Sequence, residues 1–488
     1  MKNEILRLDR VTSKKDDSTF LDNFNLHIFK SEIMGLLCLN TTGKESLVEI
    51  IRQNIHIHYG RVFFKEVLVN NYQHSSLTMN KAVVIEPKSS LIEDLTVIEN
   101  VFVFNRGHGN FIINKRKWNK QLQIYAEELG IALNGFELVA NLSYYEKYVV
   151  ELLRAVIISA DLIVVRDISN LISAVELSNF HKYIRYYAEK GISILYICDH
   201  HEEAFKICDR LSLMRDGRIL KVFDRNEFQN EKMIPFYMSE YANIEKVSMD
   251  YQSNPSILSF QNITTKNLDQ LTFTLKKGEC TLMLDLDNTL LADFQALMTG
   301  ELIKDSGEIF LENMLFTEKK AQNAISNGVA FIRENPIQTL LFHEMSYIQN
   351  LCFMVDKKQN PLPLKKNVIR NIVQEYEPIV GMEIHEKTIS NLSLRSLYNL
   401  IYYRIHLCNP KIVICVQPFA GADMYLRLHL IELINQLRKK GMTVVILAVS
   451  IADSLVVADK MIVIEKGRFS KEYERSEFSQ LRSEAISL

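Results

Sequence analysis

The chain has 488 residues, 47% hydrophobic and 24% charged, and 57 Lys+Arg against 59 Asp+Glu leave a net charge of −2. That length has room for roughly two to four domains, the composition excludes a disordered or collagen-like polymer, and the charge balance gives no field that would draw nucleic acid or acidic lipid. Glycine contributes only 17 residues, about half the ordinary share of roughly 7%, so Gly-rich phosphate cradles should be scarce.

At the start, MKNEILRLDR lacks an apolar core and a small-residue cleavage site, and no run of about 18 uncharged apolar residues follows anywhere. The expectation is a cytoplasmic chain that does not span a membrane. In GLLCLNTTGKESL a strand ends and runs into an apolar-periodic helix. The segment VVIEPKSSLIEDLTVIENVF (83–102) comes next, then the basic run KRKWNK (115–120), which contains the only Trp. That run is short and isolated, so a helix surface with Trp118 packed under lysine stems is the better expectation than a nucleic-acid patch. LSYYE (142–146) precedes a helix over 144–158, and β-branched strands follow at Leu162–Val165 and Ile192–Cys198. Tyr144, Tyr145 and Tyr148 at near-helical spacing read as core or interface residues. Asp199, His200, His201 and Glu202 have metal-ligand chemistry, but adjacent residues on one loop rarely converge on one ion, so an exposed helix start is expected there.

Beyond residue 250 the chain repeats itself. Residues 141–170 lie over 391–420 at an offset of 250, which also pairs Gly191 with Gly441, Asp209 with Asp459 and Gly217 with Gly467. Residues 24–37 lie over 271–284 at an offset of 247. A repeat this long is a domain rather than a solenoid unit, so two domains are expected at 1–242 and 257–488 with a polar linker at 243–256. Alternation of short strands with helical stretches such as 424–438 gives α/β units on parallel sheets. Seven cysteines (38, 198, 208, 280, 352, 408 and 415) form no CxxC pair and sit mostly in apolar runs, so buried free thiols are expected.

GLLCLNTTGKESL stands where a P-loop NTPase carries GxxxxGK[ST]. With LSYYE ahead of a helix, a strand about 20 residues later and the ending CDRLSLMRDGRI, each copy resembles an ATP-binding cassette (ABC) domain. The tandem is similar to the fused double-cassette ATPases of carbohydrate importers, over almost the whole chain. The resemblance implies two P-loop NTPase-like domains in tandem, each with a parallel-sheet core, an antiparallel β lobe and a helical subdomain at about 90–150 and 340–395. It also implies ATP and Mg2+ as ligands, a membrane permease as partner and a place on the inner face of the cell membrane.

Position by position, most of the family's chemistry has changed. The Walker A line keeps Asn40, Gly43 and Lys44, but Cys38 replaces the first Gly and Glu45 the magnesium-binding hydroxyl; Ser46 substitutes only after a one-residue slip. The Q-loop glutamine is Pro87. The signature LSGGQ survives as Leu142 and Ser143, followed by two tyrosines. In Walker B, LIVVRD presents Arg166 for the metal carboxylate and Asp167 for the catalytic base, one methylene shorter than the family's glutamate. The switch histidine is Asp199. In the second copy LDLDNTLLADF has no Lys and no Gly, and Asp285 and Asp287, where a phosphate would lie, read as a solvated loop. Its signature keeps Leu392 and Ser393, and Val416 and Gln417 replace the acidic pair, whereas Pro418, Gly421 and Asp423 still match. In the family, each nucleotide is sandwiched between one copy's Walker motifs and the other's signature, so both sites are broken.

The leading expectation is therefore a degenerate importer subunit with a structural or regulatory role and no hydrolysis, in which ATP binds weakly in the first copy only, with little magnesium dependence, or not at all, a relic loop with Lys44 in solvent being the favoured reading of Gly43-Lys44. An active ATPase whose catalytic residues are displaced, and a soluble regulator that binds a signalling protein outside a transporter, stay open. Within SLIEDLTVIENVF the residues Leu91, Ile92, Leu95, Val97, Asn100, Val101 and Phe102, and in the second copy FHEMSYIQNL (342–351), stand where family members receive a permease helix. They serve either as that docking surface or as core of the helical subdomain.

Overall fold

A computed structural model describes residues 3–15, 18–76, 80–102, 114–229, 232, 253–287, 289–355, 365–449, 451 and 454–478. The chain divides into two compact units, Met1–Pro235 and Phe236–Leu488. Of the expected linker, 243–252 lies outside the described residues.

The first unit opens with β1 (Glu4–Lys15), β2 (Ser18–Phe29) and β3 (Ile33–Cys38), followed by helix α1 (Lys44–Gln53), β4 (Tyr59–Phe64), β5 (Val67–Asn71) and β6 (Ala82–Ile85). Helices α2 (Val97–Phe102), α3 (Lys115–Glu128) and α4 (Tyr144–Ile157) come next. Strand β7 (Leu162–Arg166), helix α5 (Ala174–Glu189), β8 (Ser193–Cys198), helix α6 (His201–Ile207), β9 (Arg210–Arg215) and β10 (Arg218–Asp224) complete it. Strands β2-β1-β4-β5 form an antiparallel sheet, and β10-β9-β3-β8-β7-β6 form a six-stranded sheet that is parallel except for β10.

The residue pattern dictates this layering. IMGLLC, LIVVR and SILYIC are buried at every position, as a strand covered on both faces must be. In α1, Leu47, Val48, Ile50 and Ile51 make one apolar stripe that packs with β1, β2 and the central strands in a single core. Ser143 starts α4 with a capping box: its hydroxyl accepts from the Glu146 amide, and the Glu146 carboxylate accepts from the Ser143 amide.

The second unit repeats the plan. Strands β11 (Ser256–Thr264), β12 (Leu271–Lys276), β14 (Ser306–Leu311) and β15 (Met314–Leu315) form the antiparallel lobe in the order β12-β11-β14-β15. The six-stranded sheet runs β20-β19-β13-β18-β17-β16, the order of the first unit, from β13 (Cys280–Asp285), β16 (Val329–Ile332), β17 (Ile412–Val416), β18 (Thr443–Ala448), β19 (Lys460–Glu465) and β20 (Arg468–Glu474). Two helix-bearing cassette domains with antiparallel lobes are thus the observed fold, with helices in both expected helical subdomains. All seven cysteines are buried free thiols. Trp118 stacks on Phe102 with ring centroids 5.6 Å apart, instead of lying only under lysine stems. No described helix is long and apolar enough to cross a membrane.

Candidate functional site

Parallel strands in the order β9-β3-β8-β7 end on one edge of the first sheet, so the loops after β3, β7 and β8 converge there. The loop after β3 turns into α1 at Gly43, whose φ is +84°. A Cβ at Gly43 would lie 2.3 Å from the Phe20 carbonyl oxygen, so packing against β2 alone requires glycine. Asn40 is held off to one side: its amide donates to Asp216 Oδ1 at 2.6 Å and its oxygen accepts from the Asp216 amide. Ser46 is not beside Lys44's ammonium but faces the β lobe, its Oγ 2.9 Å from Ser13 Oγ. The equivalent contact in the second unit joins Thr265 Oγ1 to Asp293, so this link between helix and lobe serves the fold.

Lys44 neither projects into solvent nor offers a free ammonium. It is 7% exposed, and its Nζ forms an ion pair with Asp167, just past β7, and lies 3.4 Å from Asp199 Oδ1, just past β8. Burial alone would lower the lysine's pKa, but the two carboxylates more than offset it and hold Lys44 charged, above the ordinary lysine value. Asp167, in the left-handed region at φ 44°, is pushed up to about 6 by burial and by Asp199, with Lys44 opposing. Asp199 is therefore a buried partner of the lysine and not part of an exposed helix start.

Arg166, the last residue of β7, takes Glu45 in a two-pronged pair: Nη1 donates to Oε2 at 3.0 Å and Nη2 to Oε1. Glu86 Oε1 approaches Nη1 at 3.6 Å. Burial acts to lower the arginine's pKa, and Glu45, ahead of the other carboxylates, raises it. The two positions that would hold a divalent cation thus hold each other, and the guanidinium stands where a metal carboxylate is needed. Mg2+ does not fit this set, and among the described residues no cluster of His, Cys, Asp or Glu is arranged to hold a metal. The signal lay in the sequence as two departures of opposite sign, at 45 and 166, in positions that the family brings to one cation.

Of the tyrosines of α4, Tyr148 donates to the Pro87 carbonyl at 2.9 Å, Tyr145 Oη lies 3.3 Å from Tyr183 Oη, and Tyr144 is 48% exposed. Leu142 is buried beneath the Ser143 cap. Leu392 packs against the second unit's core, and Ser393 caps the helix Leu394–Cys408 by accepting from the Ser396 amide at 3.1 Å.

The second unit's P-loop line holds a carboxylate instead of a phosphate cradle. Asp285 is fully buried, not solvated, and its Oδ2 accepts from the amides of Leu290 and Leu291 at 2.6 and 3.3 Å, at the start of the helix Leu290–Thr299. Burial pushes its pKa up, against those backbone donors. Asp287 stays exposed. Gln417 repeats the left-handed turn of Asp167 at φ 44° and donates to Glu334 Oε1 at 2.9 Å. Asp423 caps the helix Met424–Lys439 by accepting from the Leu426 amide at 2.9 Å, which explains its persistence without a ligand.

Of the expected docking residues, Leu91, Val97, Asn100, Val101 and Phe102 are interior, and only Ile92 is exposed, with Leu95 half-buried. In the second unit Phe342 and Met345 are exposed, and Phe342 packs on the exposed Phe353 with centroids 4.5 Å apart.

Residues 21–167 match the family model described as ABC transporter. The ribose import ATP-binding protein RbsA of Clostridium perfringens is 26% identical over 467 residues, covering 94% of this chain and 93% of the relative. The xylose import ATP-binding protein XylG of Moorella thermoacetica is 22% identical over 499 residues, covering 98% of each. Among solved structures, the archaeal ribosome recycling factor aABCE1 in complex with a ribosomal stalk protein covers 98% of this chain and 92% of its own, with a TM-score of 0.63 at 14% identity. That likeness concerns the fold alone.

Proposed function

From the premise that this chain belongs with the double-cassette ATPases of sugar importers, we propose that it is a non-hydrolysing ATP-binding subunit of such an importer, peripheral to the membrane at its permease. One observation carries the reading: the charged residues of the first site are paired with one another, Lys44 with Asp167 and Asp199, and Arg166 with Glu45. Hydrolysis needs a carboxylate poised to orient water and cations that meet the phosphates as charge develops. Here Asp167 is engaged by the ammonium that should meet the phosphate, and the metal position carries a guanidinium. What remains for a nucleotide is Lys44 and Arg166, each at the cost of displacing its carboxylates, and the amides that begin α1. ATP supplies only phosphate anions to such a site, and binding there is weak. In the second unit Asp285 already takes the helix amides, so the nucleotide does not fit.

Steady-state phosphate release by the full chain, with and without its permease, tests the reading. No turnover above background is expected, and turnover at an ordinary enzyme rate that is abolished in Lys44→Ala overturns it. For the partner, the apolar anchors left for a permease helix are the exposed Ile92 in the first unit and, separately, the exposed Phe342, Met345 and Phe353 in the second. Ile92→Asp and Phe342→Asp, verified as folded, should reduce co-purification with the permease. Unchanged co-purification in both removes the docking assignment and favours a soluble regulatory role.

A further inference from the structure

We propose that the first unit's site takes a nucleotide polyphosphate without a divalent cation: Arg166 is the fixed positive charge in the metal's place, and Glu45 is a built-in anion that the phosphate displaces. This rests on the nucleotide reading above and specifies how that site is filled.

The two halves of the Glu45–Arg166 pair are unequal. Arg166's side chain is 9% exposed and sits at the end of a fully buried strand, whereas Glu45's is 74% exposed on the first turn of α1. The guanidinium is therefore fixed by its strand, and the carboxylate is the member that can leave. A pair with one partner in solvent is screened and weak, so an incoming anion competes against little. Arginine's planar fork accepts a phosphate in the two-pronged way it accepts Glu45's carboxylate. Lys44 supplies a second cation on the preceding residue of the same turn, across from Asp167, the neighbour of Arg166. A divalent cation that took Asp167 and Asp199 would have to displace Lys44 from both and would stand beside the Arg166 guanidinium.

The charge inventory fixes the direction of the test. Lys44 and Arg166 face Glu45, Glu86, Asp167 and Asp199, two cations against four carboxylates, so removing the most exposed carboxylate should favour the ligand.

The experiment is equilibrium titration of the full chain with ATP, in excess EDTA and in excess magnesium, with each variant first shown to melt as the parent does. The parent's affinity should agree within about twofold between the two conditions; in EDTA, Glu45→Gln should bind about tenfold tighter and Arg166→Gln about tenfold weaker. Magnesium that clearly tightens the parent, a Glu45→Gln variant no tighter than the parent, or no ATP binding by any form would each overturn the proposal. The last result leaves the non-hydrolysing reading standing, and phosphate release would sink that reading without touching this one.

Discussion

Asn100 and Asn350, 250 residues apart, are both fully buried and make the same four hydrogen bonds. Asn100 accepts from the Ile92 amide and donates to the carbonyls of Ile92, Leu95 and Thr96; Asn350 accepts from Phe342 and donates to Phe342, Met345 and Ser346. The residues at the phosphate site have no such correspondence. At the offsets of the repeat, Lys44, Arg166, Asp167 and Asp199 of the first unit face Leu291, Val416, Gln417 and Val449 of the second. A buried lysine is tolerable only with counter-charges. The first unit keeps its charges and pairs them, while the second removes lysine, arginine and aspartates together. The buried Asn and the Ser143 and Ser393 caps, whose partners are backbone atoms of their own domain, stay the same in both halves, and the residues whose partner would be a ligand diverge as a set.

Breaking one member of the set should have the largest effect. Lys44→Leu leaves Asp167 and Asp199 buried without their cation and should destabilise the first unit by about 3 kcal/mol in denaturant unfolding at neutral pH. The cost should shrink as pH falls toward about 6, because Asp167 without Lys44 takes up its proton at higher pH than in the parent. Importing the second unit's solution, Lys44→Leu with Asp167→Gln and Asp199→Val, should recover most of the loss. A triple variant less stable than Lys44→Leu alone would break the comparison.

Asn100→Ala and Asn350→Ala should each cost about 2–3 kcal/mol, since each strands several buried backbone groups. Asn350 should cost slightly more, because it also accepts from Arg404 Nη2 at 3.0 Å. If either substitution is neutral, the shared network is not what keeps that loop in both halves.

A buried chain of His181, Tyr196 and Glu203 exists in the first unit, with His181 Nε2 2.8 Å from Tyr196 Oη, which in turn donates to Glu203. Its counterparts at 431 and 446 are the buried Ile431 and Ile446. Burial pushes Glu203 up from 4.5 to about 7 and His181 down to about 3, so only the glutamate titrates near neutrality. A carboxyl raised on folding adds stability that is complete below its unfolded value and is lost as pH rises through the folded one. Between pH 4.5 and 8 this group alone should cost the first unit on the order of 2 kcal/mol, while His181, depressed on folding, adds stability as pH rises from about 3 to 6.5, so Glu203→Gln should leave stability rising with pH over that lower range. Equal slopes in parent and variant would contradict the assignment.

The smallest effect is expected at Asp285. Asp285→Ala removes the acceptor for the Leu290 and Leu291 amides and should cost the second unit about 1–2 kcal/mol, the size of a lost helix cap. No loss on unfolding would show that water replaces the carboxylate.

The repeat and the alternation of strands with helices were legible because they follow from local patterns, short β-branched runs and the offsets of 247 and 250, and the helical subdomains came with the resemblance; the strand order and the Ser143 and Ser393 caps appear only in the structure. Gly43 and Lys44 were legible as positions but not in their roles. Nothing local says that a glycine is required by the Phe20 carbonyl or that a lysine turns to Asp199, 155 residues away. Asp285 read as a solvated loop because a lone carboxylate after a strand usually is one; only the helix start that closes over it makes burial tolerable. The docking segment stayed open between surface and core because its apolar pattern serves both, and the structure buries Val97, Val101 and Phe102 while leaving Ile92 exposed.

The most direct test of the central claim is electron paramagnetic resonance of manganese added with ATP to the full chain. If the metal position of the first site is taken by the Glu45–Arg166 pair, the spectrum should show only manganese in free nucleotide complexes, and a protein-bound signal should appear when the pair is rebuilt as metal ligands in Glu45→Ser with Arg166→Asp. A protein-bound manganese signal in the unmodified chain, sensitive to Lys44→Leu, would contradict the account.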